Sequence, residues 1–361
     1  CKAELGQDQP QAAVLFAAPD FDHALILETI YQSFPDIQLI GGTSDAEISS
    51  CLTFQQDSIT LTLFCSDEVE FSAAVGRNLS KDPLTIASQT VQAALAPLTT
   101  PAKLCLAVPE SLTASGVEVL SGLKKGLPTS VPIVGGTTTD NWEFTGTYQF
   151  FGKEVIQDAV PILLMAGTLK VGYGVASGWK PVGRKGVVTK VEGNVVYEID
   201  QQPILEFYKD YLGMVKTDSA EYRLAVSEPD SDAWYMRTSN GHHDPDQGSL
   251  TFFADVPAQS EVRVVSADRD NLITATADAM EVALSQYNGE QPAAALFFSC
   301  AGRLQILGTR IKEEVKAACS KLNHDIPYSG FYTYGEISPL TATGEAQFHN
   351  ETFVTLVLGT A

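Results

Sequence analysis

The chain has 361 residues, 44% hydrophobic and 19% charged, enough for a substantial buried core in two domains or one large duplicated assembly. Lysine and arginine total 23 against 44 acidic residues, a formal net charge of -21. That argues against nucleic acid or an anionic membrane as the main partner, since phosphate binding needs clustered positive charge. No run of about 18 apolar residues occurs, so no transmembrane helix is expected.

The first expected strand is the apolar run from Ala12 to Ala18, followed by an amphipathic helix from His23 to Phe34 that Pro35 stops. Asp36 to Phe64, DIQLIGGTSDAEISSCLTFQQDSITLTLF, then runs apolar residues into Gly41-Gly42, polar residues, Glu47-Ile48-Ser49 and an alternating strand. The pattern repeats. A helix over Thr85 to Leu95 leads to a strand at Leu104 to Val108, and a second helix from Gly116 to Leu127 stops at Pro128. Val131 to Gly152, VPIVGGTTTDNWEFTGTYQFFG, keeps the turn at Gly135-Gly136 and places Trp142-Glu143-Phe144 where the first copy has Glu-Ile-Ser. Val160 to Gly167 fits another strand.

The middle is less repetitive. Gly172 to Gly186, GYGVASGWKPVGRKG, reads as a crossing connection around Trp179; its cations Lys180, Arg184 and Lys185 lack any phosphate-loop glycine spacing. A hairpin is expected around Gly193-Asn194, a helix over Pro203 to Tyr211, and strands at Leu224 to Ser227, Trp234 to Thr238, Leu250 to Asp255 and Glu261 to Ser266. Asn240 to Gly248, NGHHDPDQG, reads as a solvated polar turn; His242, His243, Asp244 and Asp246 there lack metal-ligand spacing. A long helix from Asn271 to Tyr287 follows.

A third copy then closes the chain: a strand at Ala293 to Ser299, a helix over Thr309 to Leu322 and IPYSGFYTYGEISPLTATGEAQFHNETFVTLVLG from Ile326 to Gly359, with Glu336-Ile337-Ser338 answering to Glu47-Ile48-Ser49. Self-similarity on this scale indicates a repeated supersecondary unit of strand, helix, strand, glycine turn and strand. The expected fold is α/β, with duplicated units forming mixed sheets with packed helices, in two domains at 1–175 and 176–361.

Aromatic residues around a glycine turn make an apolar wall, and a few polar groups at its mouth would orient a small ligand. The candidate pocket residues are therefore Tyr332, Tyr334, Glu336, His349 and Asn350, together with Gly41, Gly42, Gly135 and Gly136 from the other turns. Arg303, at the carboxyl end of a predicted strand, could hold a ligand carboxylate or pair with a structural acid. Cys300 beside it is read as a small buried residue, with a catalytic thiol as the lesser reading. The five cysteines Cys51, Cys65, Cys105, Cys300 and Cys319 show no close pairing, which suggests a reducing compartment and a cytoplasmic location. Cys1 is read as the residue after a lost initiator methionine rather than a processed lipoprotein cysteine.

GGTSDAEIS, VPIVGGTTTDNWEF, SGWKPVG with VEGNVVYEID, FFSCAGR, GFYTYGEISP and FHNETFVTLVLG together resemble the FIST family, bacterial sensory modules with an amino-terminal and a carboxyl-terminal FIST part. The resemblance covers nearly the whole chain. It implies a small-molecule ligand, amino acids being the usual proposal, and a signal passed in trans to a histidine kinase or a cyclic-di-GMP enzyme, since no output domain is read here. It implies no enzymatic activity, and a homodimer stays open. Stand-alone members include the NosP group, which binds haem b, senses nitric oxide and regulates a histidine kinase. Carried over, that makes His349 the candidate axial and metal ligand, with His242, His243 and His324 behind it, and no CxxCH motif for covalent attachment. The rivals are a sensor of an amino acid or small carboxylate held by Arg303, and a thiol enzyme built on Cys300.

Overall fold

The computed structural model describes residues 5–6, 8–213, 222–227, 234–323 and 325–360. Cys1 and His324 lie outside the described residues. The fold is mixed α/β, with three mixed sheets, a fourth that is antiparallel, and helices packed on them.

Three units share one pattern. In the first, strand Ala12–Ala17 pairs in parallel with Gln38–Thr43 across helix His23–Ser33, and Ile59–Phe64 adds antiparallel to the other side of Ala12–Ala17. The second repeats this with Ala102–Ala107, helix Gly116–Gly126, Ile133–Gly136 and Ala159–Gly167. The third uses Ala294–Cys300, helix Ile311–Cys319, Tyr328–Thr333 and Phe353–Gly359.

Each unit also carries a short hairpin, and the hairpins are exchanged in a ring. The first unit's Glu47–Ser49 pairs with the third unit's strand, Glu47 opposite Phe331. The second unit's Gln149–Phe151 pairs with the first, Gln149 opposite Gly42, and the third unit's Glu336–Pro339 with the second, Glu336 opposite Gly136. The structural counterpart of Glu47 in the second unit is therefore Gln149. The sequence alignment on Trp142-Glu143-Phe144 is corrected: those residues belong to an extra loop before the hairpin, and Glu143 is exposed.

The ring encloses one core. Side chains alternate along a strand, so Ala12, Val14 and Phe16 face inward with Leu104, Leu106, Leu296, Phe298 and Phe331. Ala13, Leu15 and Ala17 face outward to helix His23–Ser33. Phe16 and Phe331 stack with ring centroids 4.0 Å apart, joining first and third units. Burial on both faces is why the strands read as unbroken apolar runs rather than alternating ones.

Residues 177–267 are an insertion in the third unit. The second unit is led in by strand Val69–Arg77 and helix Pro83–Leu95, joined by residues 78–82. The third is led in by strand Lys170–Ala176 and helix Arg269–Gln286, and at the same joint it holds a nine-stranded sheet around helix Ile204–Leu212. The boundary expected at 175/176 falls at the start of this insertion.

Two loop readings give way to strands. Gly172 and Gly174 lie in Lys170–Ala176, paired with Phe353–Gly359. Two residues apart, they present one face, and a Cβ there would meet the helix carbonyls of Ala283 at 2.1 Å and Ala279 at 2.0 Å. The polar turn at Asn240 to Gly248 is largely strand: Ser239–Asp244 pairs with Ser249–Phe252, leaving His242 and His243 exposed. Arg184 and Lys185 pair with Asp200 and Glu261 at 2.5 and 2.6 Å on the insertion's surface. Among the described residues no helix is long and apolar enough to cross a membrane.

Candidate functional site

The three glycine segments meet, and Gly41-Gly42 and Gly135-Gly136, expected as turns, lie in the strands Gln38–Thr43 and Ile133–Gly136. Thr139 N–H donates to the Thr43 carbonyl at 3.0 Å, Tyr332 N–H to that of Ala46 at 3.0 Å, and Thr137 N–H to that of Gly335 at 2.8 Å. Gly41, Gly135 and Gly330 occupy equivalent positions, where a Cβ would lie 1.8–2.0 Å from the carbonyl oxygen of the neighbouring strand. Gly42 and Gly136 face threonine methyls of the next unit, Thr138 and Thr333. The glycines thus let the units close on one another; they line none of the clefts described here.

Three residues after each of these turns' hydroxyl sits the hairpin's first residue, except where the second unit's loop intervenes. Ser44 Oγ donates to Glu47, Thr138 Oγ1 accepts from Gln149 Nε2 at 2.9 Å, and Thr333 Oγ1 donates to Glu336 at 2.9 Å. Glu336 also accepts from Thr352 N–H at 3.0 Å and Thr352 Oγ1 at 2.9 Å. Glu336 is fully buried, and burial raises its pKa to about 8; for Glu47 it does so to about 7. These three residues latch the exchanged hairpins.

Arg303 is equally internal. Its Nε donates to Glu314 at 2.7 Å, Nη1 to the Ser177 carbonyl at 2.8 Å, and Nη2 to Leu272 O and Thr276 Oγ1 at 2.9 and 3.0 Å. Glu314 also accepts from Tyr332 Oη at 2.7 Å and Ser299 Oγ at 2.9 Å. Arg303 and Tyr332 therefore meet a carboxylate of the chain itself, with no exposed surface on either.

The remaining candidates, Tyr334 and Asn350, do share a cleft. It lies between the insertion, which gives Thr238 and Phe253, and the three-unit body, which gives Trp142, Cys300, Ala301, Gly302, Tyr334, Asn350 and Glu351, and its enclosed space is small, about 20 Å³, within a recess of about 290 Å³ that includes open solvent. The loop before the second hairpin forms one wall. Asp140 folds that loop by accepting from the N–H groups of Phe144, Thr145 and Gly146 at 3.1, 2.7 and 3.1 Å, and from Tyr334 Oη at 2.8 Å. Tyr334 Oη accepts from Trp142 N–H at 2.7 Å. Asn141, Trp142 and Phe144 all take left-handed backbone, φ 58, 64 and 51°. Trp142, Phe144, Tyr334 and Phe253 form a continuous aromatic cluster, with Phe144 and Phe253 exposed at its outer edge.

The cleft's polar floor is Asn350-Glu351. Glu351, buried and held at φ 60°, accepts through Oε1 from Arg223 Nε at 2.6 Å and from Thr238 Oγ1 at 3.2 Å. Its Oε2 and the Asn350 Oδ1 have no hydrogen-bond partner among the described residues, although Asn350 Nδ2 donates to the Tyr334 carbonyl at 3.2 Å. A buried acceptor without a donor costs about 1–3 kcal/mol, and strained non-glycine backbone costs a similar amount. Two such orphans, with strained backbone at Trp142 and Glu351 lining the same cleft, mark a site built to receive a hydrogen-bond donor.

The FIST N domain matches residues 11–202 and the FIST C domain residues 205–339. The chain belongs to the FIST family. FIST domains are ligand-binding sensory modules of signal transduction. A 95-residue stretch is 35% identical to an uncharacterised protein of Methanocaldococcus jannaschii, covering 26% of this chain and 18% of that protein's length. Cyanuric acid hydrolase, 11% identical, covers 99% of this chain and 93% of its own at a TM-score of 0.36. PurLQS from Thermotoga maritima, 10% identical, covers 81% and 72% at 0.25. TM-scores this low carry no argument about fold or activity.

In this FIST chain His349 lies in the last hairpin itself, opposite Glu336 in the strand Ala346–His349, and is fully buried. Its Nε2 is 2.8 Å from the Ser338 carbonyl, so Nε2 carries the proton, and burial lowers its pKa to about 4. The free lone pair is on Nδ1, which is enclosed without a partner, and His349 does not line the cleft. The residues do not fit haem held at His349: its lone pair faces no described cleft. Among the described residues no group of three or more His, Cys, Asp or Glu is placed to hold a metal ion.

Cys300 lines the cleft, and burial, with Glu336 and Glu351 nearby, raises its pKa well above the ordinary thiol value. Such a thiol stays protonated and slow. In native protein, iodoacetamide is expected to label exposed Cys51 and Cys65 well before Cys300, as read by peptide mass spectrometry. Labelling of Cys300 first would restore a thiol-dependent reaction as the leading reading.

Proposed function

We propose that this FIST protein is a small-molecule sensor whose ligand occupies the cleft between body and insertion, and that it signals in trans to a separate histidine kinase or cyclic-di-GMP enzyme without turning the ligand over. The observation that carries the reading is the pair of orphaned acceptors, Glu351 Oε2 and Asn350 Oδ1, on a cleft with an aromatic wall. Ligand sites favour such junctions, where an apolar wall supplies contact and a few fixed polar groups supply orientation. The insertion is tied to the site through Arg223 on Glu351, and Arg237 Nη1 donates to the Phe348 carbonyl at 2.9 Å. A ligand that engages Glu351 would therefore be felt by the insertion. A cytoplasmic place suits cysteines that form no disulfide among the described residues.

The test is a thermal-shift screen of metabolites against the wild type and Trp142→Ala. A ligand at a hundred times its Kd stabilises by about 2.7 kcal/mol. That stabilisation is expected to shrink in the variant, and a shift indifferent to Trp142 would move the ligand elsewhere. The nitric-oxide reading has its own check, a haemin and NO titration followed in the Soret region. Any band is expected to survive His349→Ala unchanged, and loss of an NO-sensitive band in that variant would favour haem over the cleft ligand.

A further inference from the structure

Resting on the reading that the cleft is the ligand site, we infer that it takes the head of a small primary ammonium ion and discriminates against carboxylates, amino acids included. Three features of the cleft lead there. First, its orphaned groups are both acceptors, a carboxylate oxygen of Glu351 and the amide oxygen of Asn350. An ammonium group brings three donors and no acceptor, so it satisfies both, and its bond to the carboxylate is charge-assisted. A carboxylate would set its own lone pairs against them.

Second, the charged side chains about the cleft give an anion nothing to hold. Arg303 spends its donors on Glu314 and interior carbonyls, and Arg223 is engaged with Glu351 and lies over Trp179, 5.3 Å from the ring centroid. Asp140 and Asp45 stand under the loop wall, with Asp45 Oδ1 accepting from Asn141 N–H at 2.6 Å. Beyond the ion pair of Glu351 with Arg223, the excess charge beside the loop is negative.

Third, the walls are aromatic faces. Trp142 and Tyr334, with ring centroids 5.6 Å apart, and Phe253 line the same cleft as the two acceptors, and a cation near such faces is attracted by their quadrupoles. The enclosed space, about 20 Å³, suits the compact head of a primary ammonium ion rather than a bulky quaternary ion.

The experiment titrates the full chain with n-butylammonium, n-butyrate and n-butanol to about 10 mM, a range that reports Kd values near 1 mM, by calorimetry and tryptophan fluorescence. Butylammonium is expected to bind at least about tenfold more tightly than the other two, as a charge-assisted hydrogen bond implies. Glu351→Gln is expected to erase that preference. Because Glu351 also holds Arg223, Phe253→Ala is measured in parallel: its ring is 40% exposed and holds no buried charge, and its loss is expected to weaken butylammonium several-fold through the cation–π contact. Butyrate or butanol binding as tightly as butylammonium, with sensitivity to Trp142→Ala, would overturn the cation preference and leave the cleft as ligand site. Absence of binding by all three, or binding indifferent to both Trp142→Ala and Phe253→Ala, would overturn the preference and the cleft together.

Discussion

Arg303→Met is expected to lower the free energy of unfolding by about 3–5 kcal/mol, the usual cost of breaking a buried ion pair by removing one partner. The variant strands Glu314 without its cation inside the fold, where Ser299 and Tyr332 remain its donors. It also leaves the carbonyls of Ser177 and Leu272 without the donor that joins the insertion's first loop and helix Arg269–Gln286 to the third unit. Glu314→Gln in the Arg303→Met background is expected to recover part of the loss, since a neutral amide still accepts from Ser299 and Tyr332 but carries no charge to bury. Arg310→Ala supplies the contrast. Arg310 also makes two ion pairs, with Asp270 and Glu313, both 2.8 Å, but on the surface, where such pairs contribute about 0–1 kcal/mol. Urea unfolding of the four proteins checks the ordering. A loss below that of Arg310→Ala would mean that Arg303 is not the internal tie its geometry describes.

Arg303 also shows what the residue pattern could and could not convey. An arginine after a strand end looks the same in sequence whether its carboxylate belongs to a ligand or to Glu314 eleven residues on. The repeated units were legible because each central strand is buried on both faces and the first two helices stop just before a proline, Pro35 and Pro128, signals local to the chain. Exchange of the hairpins was not, because which sheet accepts Glu47–Ser49 depends on backbone partners nearly three hundred residues away. Gly172 and Gly174 misled by resembling a loop; the missed signal was their spacing of two, matched by Ala279 and Ala283 spaced four on the covering helix.

In the site, Tyr334 and Asn350 were within reach of sequence reasoning because they flank a repeated turn. Trp142 falls where the other units have Glu-Ile-Ser only because the second unit carries a loop that the other two lack. Thr238 and Phe253 come from the insertion and no local pattern points from them to the body. Glu351 was passed over beside His349, although the Asn350-Glu351 pair follows the same hairpin. Its left-handed backbone, at φ 60°, is a property of the fold that a glutamate in sequence does not announce.

The latch residues carry a pH dependence whose sign can be worked out. Burial raises the Glu336 pKa from 4.5 to about 8, against hydrogen bonds from Thr352 and Thr333, so the folded protein holds this proton more tightly than the unfolded chain. Its contribution is fully present below 4.5 and is lost as pH rises through 8. Glu47 acts in the same sense up to about 7. His349 opposes them: its pKa falls from 6.5 to about 4, so its contribution is present above 6.5 and lost as pH falls towards 4. Between pH 4.5 and 6.5 the histidine therefore cancels part of the glutamate slope, whereas from 6.5 to 8 it is silent. Over that upper window stability is expected to fall by roughly 2 kcal/mol, at about 1.4 kcal/mol per pH unit for Glu336. Glu336→Gln should flatten the fall, and adding Glu47→Gln should remove what remains near pH 7. The fold already tests the chemistry, because Gln149 does the same task in the second unit, bonded to Thr138 and Thr147 at 2.9 and 3.1 Å. Urea midpoints at pH 6.5 and 8 give the answer. A slope that persists in the double variant would assign the proton to another group, and a midpoint that rises with pH would mean that the latch carboxylates are held ionised by their donors.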